Sequence, residues 1–407
     1  MSTGEFQTLG LSIHLFRPSI VLDDSGEPHH CAVTPRGRLL ADVTNLVSSY
    51  AHTHSAFGGF DTASFSITAT QEEVETWYDQ ALGAHVETID EAGDIVWEGY
   101  IDQVDIQLGP LAITRGPVTD IANQVYVVYQ EKDTSTSPNT HSAPRILKPI
   151  LETPESQRVY GIRAAFLTLS AATASVAQQI GMMWMYENAW PRLSEQVSLS
   201  SSGGSGPTIN FSCRGYFHSL TQTYYTAALG NENASVKLGK ILDWEGTYVN
   251  GLFSSANAFI TANTTQVPVA ETDYIEMKTQ IEEIVSVGDA TFQRYLFQVG
   301  PERLVTYGPM PTTYLYQQDM AWERQQIRLR SGEIIMPWAV KSGQWLRLLN
   351  WLPGAEEAAT YREDSRYMFI EQVSYTAPFD VALSGGKSDR IDQVMAQLGL
   401  AGETASA

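Results

Sequence analysis

The sequence predicts an α+β, β-rich protein in which two sheet-rich ends flank a mixed α/β middle. Three observations carry that expectation. Segments toward both ends alternate apolar and polar residues with period 2, amphipathic helical stretches are few and far apart, and no short-period internal repeat points to a solenoid or propeller. The 407 residues are enough for two or three domains at ~150 residues each. We divide them at 1–130, 131–289 and 290–407, the last part ending in an amphipathic helix.

The most legible stretch is 60–109. Ala63, Phe65, Ile67 and Ala69 in FDTASFSITAT share one face, as in a half-buried strand. Thr70 and Glu73 form a capping box that starts a helix, QEEVETWYDQAL, with Val74, Trp77, Tyr78, Ala81 and Leu82 on one stripe and Gly83 as terminator. A hairpin follows: HVETID, a turn at Glu91–Asp94, then IVWEGYIDQVDIQLG, with LAITRG as a third strand. Trp97 is expected in the core of this sheet. The polar, proline-bearing run Gln130–Pro144 and the run Ser198–Thr208 read as loops.

In the middle, 163–180 (RAAFLTLSAATASVAQQI) spaces Leu167, Ala171, Ala174 and Ile180 as a helix would. Glu271–Val285 reads as a second helix, with Asp273 and Glu276 in capping positions. Beyond residue 290 strands return. YLFQV and LVTYG form a hairpin about Gly300–Arg303, and IRLRSGEIIMPWAV, QWLRLLNWL and YMFIEQVSYTA add more. A last helix is expected from about Ser388, with Ile391, Val394, Met395 and Leu398 apolar.

Composition excludes several functions. The net charge is −21, and no Lys/Arg cluster supplies the cationic footprint of a nucleic-acid binder. The longest basic stretch, Arg324–Arg330, alternates with neutral residues and reads as a half-exposed strand. Two distant cysteines, Cys31 and Cys213, cannot form a disulfide framework and read as reduced core thiols. The N-terminus lacks the charged and apolar regions of a secretory signal, so a soluble protein made in the cytoplasm is expected.

No constellation carries chemistry. Ser384-Gly385-Gly386-Lys387-Ser388 has Val381 where a phosphate loop needs glycine, so it reads as a strand-to-helix turn. His29-His30-Cys31, in a loop beside Pro28, and His52 with His54, a His-x-His that zinc could use, are weighed as metal ligands. Exposed loop histidines are the plainer reading. There is no GxSxG elbow, SxxK box or catalytic-type cysteine motif. We therefore assign no catalytic residue, no cofactor and no metal. Trp338, Trp345 and Trp351, in PWAVKSGQWLRLLNWLPG, are equally core packing or interface anchors. Asp61, Glu87, Asp102 and Asp105 alternate with apolar residues and so point away from the core.

Several blocks resemble a known family. GGFDTASFSIT, a short helix, the Trp97-Glu98-Gly99 strand (DIVWEGYIDQV) and RGPVTDIANQVYVVY resemble the baseplate hub and tail-tip proteins of tailed phages. NFSCRGYFHSL and VSYTAPFDVALSGGKSDRIDQVMAQLGL are similar in particular to the siphophage gp37-like tail group, while about 145–270 matches least. The resemblance implies tube-like β-barrel modules at both ends of the chain and a homo-oligomeric ring, a trimer first and a hexamer second. It also implies tail-tube, distal-tail, spike or fibre proteins as partners, and a virion location after assembly in the host cytoplasm. DNA would pass through without specific binding, with Asp61, Glu87, Asp102 and Asp105 either lining the channel or facing solvent on the outer rim. A hexameric distal-tail adaptor, a receptor- or glycan-binding tip protein using Tyr224, Tyr225 and Tyr248, and a tail-associated cell-wall hydrolase stay open as alternatives.

Overall fold

In the computed structural model, residues 10–385 are described except 24, 27, 132–142, 171, 198–205, 226–229, 269–273, 292, 320–325 and 350–366. The loops at 130–144 and 198–208 therefore fall largely outside the described residues. So does the whole expected helix from Ser388.

The fold is α+β and β-rich. Its N-terminal part runs β1 (Leu11–Asp23), β2 (His30–Asp42), β3 (Val47–Ser55), β4 (Gly58–Thr68), α1 (Gln71–Gln80), β5 (His85–Asp90), β6 (Ile95–Leu108) and β7 (Leu111–Arg115). The capping box at α1 forms as the sequence predicts. Thr70 Oγ1 accepts from the Glu73 N–H at 3.3 Å, and Glu73 returns a carboxylate oxygen to the Thr70 N–H at 2.7 Å. The long first hairpin, β1 with β2, carries no turn signature of the common two-residue kind, and sequence reasoning passed over it.

Among the described residues the main sheet has 14 strands. The two ends of the sequence share it. Gln372–Thr376 pairs with β3, and Tyr295–Val299 pairs with β4 through Gln298↔Gly58 and Val299↔Gly59. Gly59 has a φ of +79°, and a Cβ there would lie 2.2 Å from the Val299 carbonyl, so only glycine lets the two backbones meet. One apolar core runs from Leu11 through Trp97, Phe211 and Phe297 to Tyr375. A separate four-stranded sheet holds Tyr314–Asp319, Ile327–Leu329, Trp345–Leu349 and Tyr367–Phe369. No sheet closes into a barrel within the described chain.

The middle region departs from the expected elements. Ala164–Leu169 is a strand, parallel to Gln124–Tyr129, and the helix begins only at Ala174 and runs to Asn188. The apolar run AAFLTL fits helix or buried strand equally well by spacing. Pairing with Gln124–Tyr129 decided it, and Thr173 caps the helix by accepting from the Val176 N–H. The second expected helix is shorter at its start, Met277–Val287, because Ile275–Glu276 is drawn into a bridge with Tyr224–Tyr225. A helix at Ala234–Tyr248, amphipathic about Leu238, Ile241 and Leu242, was not anticipated.

Candidate functional site

Eight consecutive antiparallel strands form the part of the main sheet that is open to solvent. Their order is Asp380–Ser384, Gln372–Thr376, β3, β4, Thr208–Arg214, β6, β7 and Leu193–Val197. On one face Phe65, Ile67, Val104, Ile106, Ile209 and Phe211 enter the core. Period-2 alternation sends the intervening residues to the other face, and those residues are small and polar.

The register aligns them in rows. Ser49, Ser66, Asn210, Asp105, Thr114 and Ser194 are successive cross-strand partners over six strands. Hydrogen bonds tie them sideways: Ser49 to Ser66 at 3.0 Å, Ser66 to Asn210 at 2.6 Å, and Thr114 to Asp105 at 2.6 Å. Ala51, Ser64, Ser212 and Gln103 make the next row. An open cleft of about 470 Å³ lies there, bounded by Thr53, Thr62, Ser64, Gln103, Ser212 and Arg214 among others. Its one guanidinium, Arg214, donates to Asp102 at 3.0 Å.

The four acids singled out by alternation separate. Asp105 lies on this face, half-buried and bonded to Gln103 and Thr114. Asp61 borders it, accepting from His218 at 2.7 Å and Thr53 at 3.2 Å, and the His218 contact holds its carboxyl below the ordinary value. Asp102 is 4% exposed, its oxygens taken by Arg214 and Thr119. Glu87 is 1% exposed and cannot reach any surface. The reason is topological: on that face of β5, where alternation alone predicts solvent, Tyr216 covers His85 and Arg36 of β2 closes over Glu87.

Behind that cover lies a buried polar network. His85 Nε2 meets Glu87 at 2.7 Å, and His85 Nδ1 meets the Tyr216 hydroxyl at 2.8 Å. Glu98 takes the Arg303 guanidinium at 2.6 Å and the Glu302 N–H, while Arg36 binds Glu87. Ligand atoms of His85, Glu87 and Glu98 lie within 4.8 Å of one another, a spacing that a divalent cation can use. Two guanidiniums already neutralise the two carboxylates, however, and a cation would have to displace both. The cluster is built as an ion network.

Of the histidines weighed as ligands, His29 lies in the β1–β2 connection, while His30, His52 and His54 are strand residues. His52 packs between Tyr50 and Tyr375, with ring centroids 5.6 and 5.2 Å away, and His54 binds Ser342. Burial lowers their pKa values to about 3 and about 4. His29 lies against Glu152, while His30 and Cys31 open β2, with Cys31 buried. Neither cysteine forms a disulfide.

Of the tryptophans, Trp338 is 8% exposed and stacks edgewise on Tyr375 within the chain's own core. Trp345 is half-buried and donates its indole N–H to the Pro311 carbonyl at 2.7 Å. Trp351 lies outside the described residues. Several exposed apolar side chains lie together on Ala174–Asn188 and the strand after it. Val176, Ile180 and Met183 form a stripe at i, i+4 and i+7, with Tyr186 84% exposed and Leu193 and Val197 51% and 62%. The signal was present in the sequence: ASVAQQIGMMWMYEN has apolar residues on more sides than one buried face can use.

No protein-family model and no curated protein sequence matches the chain. Among solved structures it is similar to a tail protein from Neisseria meningitidis MC58, at 7% identity and a TM-score of 0.41, over 94% of this chain and 98% of that one. It is also similar to the 43 kDa tail protein of prophage MuSo2 from Shewanella oneidensis, at 8% identity and a TM-score of 0.37, over 93% and 98%. A third is the E. coli c3393 protein, a type VI secretion component described as structurally similar to the T4 tail proteins gp27 and gp5. There the identity is 8% and the TM-score 0.36, over 93% of this chain and 77% of that one.

Proposed function

We propose that the chain is a non-enzymatic, structural ring component of a phage-type tail, a hub or tail-tip subunit whose uncovered sheet face lines the channel. The observation that carries this reading is the eight-strand sheet with one small, polar, solvent-facing side and an unpaired strand at each end. Leu193–Val197 and Asp380–Ser384 each have one strand neighbour among the described residues. Open edges are templates for further pairing, and different edges meeting head to tail generate a ring. The helix that carries the exposed Val176, Ile180 and Met183 is the element before Leu193–Val197 in the chain.

A channel for DNA must not hold phosphate, because each cation offered to it is a contact to be broken. On this face Arg214 is neutralised by Asp102, and the central rows are hydroxyls, amides and Asp105. Three-fold symmetry is our first reading and six-fold, as in a distal-tail adaptor, the second. The test pairs cysteines across the two edges. Ser194→Cys with Ala382→Cys, in a Cys31→Ala/Cys213→Ala background, should give a ladder of disulfide-linked multimers closing at three or six. Cryo-EM should show the Ser66–Asn210 row facing the axis. A protein monomeric at every concentration, or rings with this face outward, would defeat the proposal.

A further inference from the structure

The cleft best suited to a small molecule is away from the polar sheet face. Its floor is Gln124, Tyr126 and Ala164, neighbours across the parallel pair Gln124–Tyr129 and Ala164–Leu169. One wall is Tyr224; the other is Trp244 and Tyr248, one turn apart on the Ala234–Tyr248 helix with ring centroids at 4.6 Å. Its volume is about 280 Å³. That falls just under the ~300 Å³ at which drug-sized pockets begin, room for one ring and not for a chain of them.

The aromatic residues are buttressed from behind. Phe166 stacks on Tyr126 at 5.0 Å and meets Tyr224 edge to face at 4.7 Å. Tyr274 packs 5.2 Å from Tyr126 with a backbone φ of +76°, a conformation a bulky residue adopts only when its surroundings impose it. The floor is therefore held in place. The mouth is not closed, since Tyr248 is 54% exposed and Tyr224 and Trp244 are half-buried.

The charges around the cleft decide the ligand's chemistry. No Lys or Arg lines it, which disfavours phosphates and sugar acids. Two of the described carboxylates close by are already engaged. Glu152 receives the His29 N–H at 3.1 Å and the Gln124 and Gln157 amides at 2.9 and 3.3 Å, and Asp23 faces His30 at 3.1 Å. Among the described lining residues an organic cation would find aromatic faces and no carboxylate. By contrast, the Tyr224 and Tyr248 hydroxyls and the Trp244 indole N–H make no hydrogen bond among the described residues. Flat apolar faces edged by unused hydroxyl and N–H groups match a neutral pyranose, whose C–H faces stack on rings while its hydroxyls take the polar edges.

We propose that this cleft binds a single neutral pyranose unit, stacked on Trp244 and Tyr224. The proposal stands whether or not the chain forms a ring. Saturation-transfer NMR and calorimetry on the full chain, with a panel of methyl hexopyranosides and N-acetylhexosamines, test it. At least one should bind in the millimolar range. Trp244→Ala and Tyr224→Ala should each weaken that binding at least tenfold, Trp244→Phe should keep it within a few-fold, and Tyr186→Ala, exposed elsewhere, should leave it unchanged. Far-UV spectra and thermal melts matching the parent protein establish that the variants fold. Three results would overturn the proposal: no saturation transfer from any panel member, binding indifferent to Trp244 and Tyr224, or preferential uptake of tetramethylammonium or adenosine in their place.

Discussion

Glu98 and Arg303 are 205 positions apart in the chain and 2.6 Å apart in the fold. The same carboxylate accepts the N–H of Glu302. Glu302 and Arg303 have φ values of +57° and +61°, so the turn between Tyr295–Val299 and Val305–Pro309 is made by two non-glycine residues in the left-handed region. Such residues each cost about 1 kcal/mol or more. Glu98 offsets that cost by binding both members of the turn at once, and it does so while 1% exposed.

Removing Glu98 therefore leaves Arg303 half-desolvated and the turn unsupported. Glu98→Ala should destabilise by roughly 3–5 kcal/mol, the range for breaking one side of a buried pair. Glu302→Gly keeps the N–H and relieves the φ penalty, so it should be neutral or gain up to about 1 kcal/mol. Chemical denaturation of both variants measures this. Equal losses in the two would mean that the turn is held by something other than Glu98.

Trp97, 0% exposed, packs against Phe60 with centroids 6.4 Å apart, and its indole N–H has no partner. Trp97→Ala should cost about 3–5 kcal/mol as a large cavity opens. Trp97→Phe discards an unsatisfied donor together with part of the ring and should cost markedly less. Denaturation midpoints for the pair decide whether volume or polarity governs the site. A Trp97→Phe as damaging as Trp97→Ala would give the decision to shape.

Period-2 alternation was enough to read β4 and the β5–β6 hairpin and to put Phe65, Ile67 and Trp97 in the core, while the Thr70–Glu73 spacing and a helical stripe read α1. Alternation also separated the small polar face of β4 from the apolar one. It could not say which polar face would later be covered. Glu87 and Asp105 alternate alike in the sequence, but Arg36 closes over Glu87, and Tyr216, 131 positions from His85, covers the ring beside it. AAFLTL failed for the related reason that an apolar run of six has no period of its own until a neighbouring strand supplies one. His52 and His54 were misjudged because their burial depends on Gln372–Thr376, nearly the far end of the chain, pairing with β3.

Glu245 is fully buried, and its carboxylate accepts the Phe253 N–H at 2.7 Å. Desolvation raises its pKa to about 8, against the opposing pull of backbone N–H groups at 250–253. A raised carboxyl pKa means that the native state holds a proton the unfolded chain releases. The stability this contributes is complete below about pH 4.5 and is lost as pH climbs toward 8. At pH 7 the loss is on the order of 3 kcal/mol. Glu245→Gln, which cannot ionise, should flatten this part of the profile and be more stable than the parent at pH 8. A variant less stable than the parent at pH 8 and at pH 5 alike would show that Glu245 acts through hydrogen bonding alone.

The histidine pair works in the opposite direction. His52, with a pKa lowered to about 3 by burial and then by His54, and His54, lowered to about 4 by burial and then by Lys341, are neutral in the fold at any mild pH. Unfolded histidines take up protons below about 6.5. Folding thus excludes two protons, and the stability present above pH 6.5 is lost as pH falls through the window from 6.5 to 4. Each ring costs about 2 kcal/mol by pH 5, and the two together about 4. Asp61, whose carboxyl the His218 contact holds below the ordinary value, contributes acid lability mainly beneath this window. Glu245 opposes the histidines, and its partial relief on acidification should hold the net change from pH 7 to 5 to roughly 1–2 kcal/mol in the parent protein. In Glu245→Gln the full histidine slope should emerge. His52→Phe, which keeps an aromatic ring between Tyr50 and Tyr375, should then halve it. Denaturant titrations of the single and double variants at pH 7, 6 and 5 give the slopes. A Glu245→Gln protein as stable at pH 5 as at pH 7 would mean that the His52 site admits a proton or water, contrary to its packing.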